Sequence, residues 1–119
     1  MRIPREEVLA ALLALHKAVL AAERGQLERI HGPLSSAAFL QVVSDPVRYG
    51  WLKPLSGLIL AFEAGDDERP PDAELVDRTG SLLVPPKQNE PFGRRYLSAM
   101  QREPGLVVAH GSLTRLLDT

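Results

Sequence analysis

Three side chains stand where a plain core would hold hydrocarbon: His16, Glu23 and His110. Imidazole and carboxylate are the groups that move protons near neutral pH and ligate zinc-like metals. His16 and Glu23 lie two helical turns apart in one apolar stripe, and His110 lies in another. A carboxylate in an apolar stripe must find a donor or a charge, because its desolvation is costly. The available partners are the two histidines, Tyr49, Tyr96, Lys53, Arg48, Arg94 and Arg95. Two outcomes follow. One is a satisfied polar network within the core, the usual fate of buried polar groups. The other is a ligand pocket lined by His16, Glu23, Tyr49 and His110. Two histidines and one carboxylate also have the composition of a mononuclear metal site, but no local ligand spacing supports it. No metal ligand is assigned, and no cofactor is expected.

Other chemical signatures are weaker. Glu28-Arg29-Ile30-His31 matches the E-x-x-H pair of di-iron bundles, whose members sit side by side on a helix. Such a site needs a second pair and two further carboxylates, and the chain has no second E-x-x-H. The glycines form no phosphate loop, and neither H-E-x-x-H nor G-x-S-x-G occurs. Arg94, Arg95 and Arg102 with Tyr96 make the most basic stretch. In a chain of net charge −1 that stretch reads as a solvated face, and nucleic acid is not an expected partner.

These residues must be positioned by helices. The stretch from Pro4 to His31 predicts one long helix, ended by Gly32-Pro33. At about 100° per residue, Leu9, Leu12, Leu13, Leu20, Leu27 and Ile30 share one side. On that wheel His16 and Glu23 fall near the middle of the stripe, Val19 near one border and His31 near the other. The opposite side interleaves Glu7, Lys17, Arg24, Glu28 and Arg29 with Ala10, Ala14, Ala18 and Ala21.

Shorter helices are predicted from Ser36 to Val43, over one or two turns from Val47 to Leu52, and from Pro54 to Ala64. Others run from Asp72 to Leu83, from Pro91 to Arg102, and from Glu103-Pro104 to about Leu117. Leu106, Ala109, His110, Leu113, Leu116 and Leu117 form the stripe of the last one. Between Glu63 and Asp77 seven acids face the single base Arg69, which reads as a solvated loop and helix start. No period-2 alternation or tight hairpin turn marks a strand.

Composition agrees with an ordinary globular chain. The 119 residues are 45% hydrophobic and 24% charged, enough for one domain over 1–119 and too apolar for overall disorder. The absence of cysteine excludes disulfides and thiolate chemistry and fits a cytoplasmic location. The apolar run from Val8 to Ala22 is broken by His16 and Lys17 and preceded by Glu6 and Glu7, unlike a secretory leader or a membrane span.

The stretches LHKAVLAAERGQLERIHG (residues 15–32), DPVRYGWLKPLSGLI (45–59) and FGRRYLSAMQREPGLVVAH (92–110) resemble a group of short bacterial hypothetical proteins. The resemblance implies a helical bacterial domain and carries no activity, cofactor or catalytic residue. The expected fold is therefore all-α: a compact single-domain bundle of about five to six helices around the long N-terminal one. The leading functional expectation is a non-catalytic interaction or regulatory domain that self-associates, with Tyr49 and Trp51 as interface anchors. The rival is a small-molecule or metal-binding protein using the His/Glu cluster.

Overall fold

A computed structural model describes residues 5–118. The long helix α1 spans Arg5–His31; Pro4 lies outside the described residues. It is followed by α2 (Ser36–Val43), the single turn α3 (Pro46–Tyr49) and a 3-10 turn over Gly50–Leu52. Then come α4 (Lys53–Glu63), α5 (Asp72–Leu83), α6 (Pro91–Arg102) and α7 (Pro104–Leu117). No strand occurs among the described residues, and the chain is an all-α bundle. No helix among them is long and apolar enough to cross a membrane.

α1 is about 40 Å long at the α-helical rise, and it sets the long dimension of a molecule measuring 48 × 29 × 25 Å. α4, α6 and α7 pack against it, α7 most extensively, and α5 is carried on α4. The core runs along this seam: Val8, Leu12, Leu15 and Val19 of α1 meet Leu55, Leu58 and Phe62 of α4, Phe92 and Tyr96 of α6, and Leu106 and Leu113 of α7 in one cluster.

The buried face of α1 differs from the expected one. Val8, Leu12, Leu15, Val19, Ala22, Glu23 and Leu27 are buried, whereas Leu13 and Ile30 are exposed and Leu9 and Leu20 are half-buried. The face is rotated by about 70° from the expected stripe. Apolar residues surround much of this helix, so periodicity by itself points only weakly. The packing of α4, α6 and α7 decides the rotation. In consequence His16 sits on the flank of the core, half-buried, and His31 is exposed.

Local chemistry sets the helix ends. Gly32 takes φ +85°, the left-handed conformation that closes a helix, and its N–H donates to the Glu28 carbonyl at 2.8 Å. Just beyond, the Leu34 N–H donates to Glu28 Oε2 at 2.8 Å, and Arg24 Nη2 donates to the Leu34 carbonyl at 2.6 Å. Arg24 also stands 5.7 Å from the centre of the Phe39 ring. Glu28 is thus a clamp on the turn between α1 and α2. The Ser35 hydroxyl caps α2, and the Asp45 carboxylate caps α3 ahead of Pro46.

α5 forms in spite of Thr79, Gly80 and Ser81. Leu75, Thr79 and Leu83 bury one side, and the Thr79 hydroxyl donates to the Leu75 carbonyl at 2.7 Å, leaving no unpaired polar group. The acids Glu63, Asp66, Asp67, Glu68, Asp72, Glu74 and Asp77 are all exposed, as a solvated loop and helix start require.

Gly93 on α6 is buried, and a Cβ there would overlap the backbone carbonyl of Lys87. The connector before α6 is therefore seated directly on the helix. Gly93→Ala is expected to lower the free energy of unfolding by about 1–3 kcal/mol, the usual cost of overpacking. Gly57→Ala, at an exposed mid-helix position with open space around the new Cβ, is expected to raise it by about 0.5–1 kcal/mol. Urea unfolding of both variants checks the pair.

Candidate functional site

The three core-stripe candidates do not form one network. Glu23 is buried, at 7% exposure, and its Oε1 accepts from Arg102 Nη2 at 3.2 Å. Arg102 Nη1 donates to the Ala22 carbonyl at 3.0 Å, so one guanidinium at the end of α6 holds two successive residues of α1. His110 pairs instead with Tyr96, Nδ1 to hydroxyl at 2.7 Å. His16 makes no side-chain hydrogen bond with any described residue. No group of three His, Cys, Asp or Glu side chains among the described residues is arranged to hold a metal ion.

Glu23 does meet another of the expected pocket residues. Glu23 and Tyr49 line one cavity of about 350 Å³ between α1, α3 and α6. Its other walls are Gln26, Leu27, Ile30, Val47, Arg48 and Arg95. Each side chain arrives for a local reason. Glu23, Leu27 and Ile30 follow one another at helical spacing along α1. Asp45 and Pro46 start α3 and thereby set Val47, Arg48 and Tyr49 in a single turn. Arg95 and Arg102 are seven residues apart on α6 and turn the same way, toward α1. Arg94, their neighbour in sequence, lies instead in a shallow surface depression with Gln88, Leu97, Ser98 and Gln101. The basic stretch is therefore divided between two faces.

Four charges act on the Tyr49 hydroxyl. Burial raises its pKa above the ordinary value and the Glu23 carboxylate adds to the rise, while Arg48, Arg95 and Arg102 pull it down. Arg102 is committed to Glu23 and Ala22. Arg48 and Arg95 are exposed and make no hydrogen bond or ion pair with a described residue. The cavity thus presents two free guanidinium groups, one phenol and the second oxygen of Glu23. Guanidinium forks match carboxylate and phosphate oxygens. A larger groove of about 440 Å³ runs between α4 and α5, lined by Pro54, Leu58, Glu74, Asp77, Arg78, Ser81 and Leu82. It is open to solvent, and both signs of charge occur on its own walls.

Trp51 is engaged inside the fold. Its ring lies 6.1 Å from Phe92, which stacks on Tyr96 at 5.4 Å, which in turn tilts against His110 at 5.6 Å. Trp51 Nε1 is the one buried side-chain polar atom without a hydrogen bond among the described residues.

Sequence reasoning named Arg48 and Arg95 as possible partners of Glu23, and both line its cavity; it missed Arg102, the residue that pairs with Glu23. The seven-residue spacing of Arg95 and Arg102 was the available signal. No family model, curated protein or solved structure matches the chain.

The His110 pair has a pH consequence. Tyr96 is fully buried, and that burial raises its pKa far above the ordinary value, so the hydroxyl keeps its proton and donates. Nδ1 of His110 then accepts, which makes the ring neutral with its proton on Nε2. Burial lowers the pKa of both His110 and His16. The unfolded chain therefore binds more protons than the folded one between the lowered values and the ordinary value of 6.5. Stability is complete above pH ~6.5 and falls as the pH drops from there toward the lowered values. Melting temperatures are expected to decline over that window. In His110→Gln, which keeps an acceptor for Tyr96, the decline is expected to be smaller.

Proposed function

We propose that this protein is a non-catalytic helical binding domain that takes a small anionic ligand in the cavity between α1, α3 and α6. The observation that carries the reading is the pair Arg48 and Arg95, which line one concave site and have no partner within the described fold. Exposed arginines are ordinarily solvated, but two that line one concave site beside a buried tyrosine present forks matched to carboxylate or phosphate oxygens, which makes an anion-selective subsite. A cavity of about 350 Å³ has room for roughly ten waters, at ~30 Å³ each, and so for a ligand of comparable heavy-atom count. Leu27, Ile30 and Val47 give that ligand an apolar wall. No nucleophile–base pair accompanies the arginines, which favours binding over catalysis.

Titration with 4-methylpentanoate, followed by amide chemical shifts, tests the reading. The shifts are expected to centre on Tyr49 and Arg95, and Arg48→Ala with Arg95→Ala is expected to weaken binding by about tenfold or more. Equal affinity in the double variant would remove the arginines from the site.

Self-association is a second reading. It is supported by Val47 and Ile30, 91% and 64% exposed on the rim of the same cavity. Light scattering is then expected to show a mass rising with concentration, and Val47→Asp to hold the protein at monomer mass.

A further inference from the structure

The cavity carries more than positive charge. Glu23 Oε1 is engaged by Arg102, but Glu23 Oε2 has no hydrogen bond from any described residue. It is also not among the buried unpartnered atoms, so it meets the space of the cavity. The Tyr49 hydroxyl likewise has no hydrogen-bond partner among the described residues, and Tyr49 lines that space. The cavity therefore offers an acceptor of negative charge at Glu23, and donors of positive charge at Arg48 and Arg95. The Tyr49 phenol lines the same space and feels all of these charges. A simple anion would use the arginines and leave Glu23 Oε2 facing it. An ammonium group beside the carboxylate turns that repulsion into a charge-assisted hydrogen bond.

We infer that the ligand is a small zwitterion, an α-amino acid with an aliphatic side chain. Its carboxylate is held by Arg48 and Arg95, its ammonium by Glu23 Oε2 and the Tyr49 hydroxyl, and its side chain lies on Leu27, Ile30 and Val47. This rests on the reading of the cavity as an anion site and adds to it the second charge and the apolar portion. Arg102 is a positioning residue: by occupying Oε1 and the Ala22 carbonyl it fixes which oxygen of Glu23 remains for the ligand. The volume admits it, since a cavity of about 350 Å³ lies at the small end of the range for ligand sites and holds an amino acid of that size with room for water.

The test compares three probes on the unaltered protein by calorimetry or amide shifts: leucine, 4-methylpentanoate, which lacks the amine, and 3-methylbutylamine, which lacks the carboxylate. Leucine is expected to bind about tenfold or more tightly than either analogue. Glu23→Gln keeps an oxygen for Arg102 and is expected to erase the preference for leucine over 4-methylpentanoate, with the fold verified by circular dichroism. If 4-methylpentanoate binds as well as leucine, the zwitterion inference fails and the anion site stands. If 3-methylbutylamine binds as well as leucine, or if none of the three binds at millimolar concentration, both fail. The probe series uses no variant, so a poorly folding Glu23→Gln does not shield the inference from refutation.

Discussion

A helix of 27 residues has no stability of its own to spare in water, and most of what it has comes from covering one side with other helices. That constraint shapes the molecule. α4, α6 and α7 all come to α1, while α5 reaches the bundle through α4. α1 extends past the reach of any single partner, so the partners succeed one another along it. Toward its C-terminal end the cover changes from hydrocarbon to charge: Arg102 reaches across from α6 to Ala22 and Glu23. Beyond that point Arg24 and Glu28 fold the following turn back onto the helix. The cavity opens in this same region, where close packing gives way to polar contact.

The helix ends were legible because their chemistry is local. Gly32-Pro33, Ser35, Asp45-Pro46 and Glu103-Pro104 each act within a few residues of themselves. The rotation of α1 was not legible, because leucines and valines occupy two overlapping sides of it. Only partners distant in sequence choose between Leu13 and Leu15. The candidate site divides in the same way. That Glu23 needed a charged partner followed from burial alone; that the partner is Arg102 depends on how α6 crosses α1, and the seven-residue spacing of Arg95 and Arg102 states only that the two share a side of α6. His110 was recognisable as an anomaly in its stripe, yet its partner Tyr96 comes from a helix whose own apolar pattern gave the hydroxyl no visible purpose.

The two polar pairs divide the work physically. Tyr96 and His110 are neutral partners that end a row of rings running from Trp51 through Phe92. Neutral hydrogen bonds suit that setting, because an unpaired charge there would be expensive. Glu23 and Arg102 are ionic and border a cavity, where one oxygen of the carboxylate can still be solvated or taken by a ligand. The fold thus keeps its neutral polarity beside the row of rings and its ionic polarity at an opening.

Gly93 gives α6 a particular place in the history of the chain. The Lys87 carbonyl occupies the room that any side chain at position 93 would need. Most other glycines have open space around them and are free to drift. Any change at position 93 carries a cost in stability unless the connector before it shifts as well. Arg95 lies two residues further along the same helix, so the seat of the connector and one wall of the cavity belong to a single turn of α6.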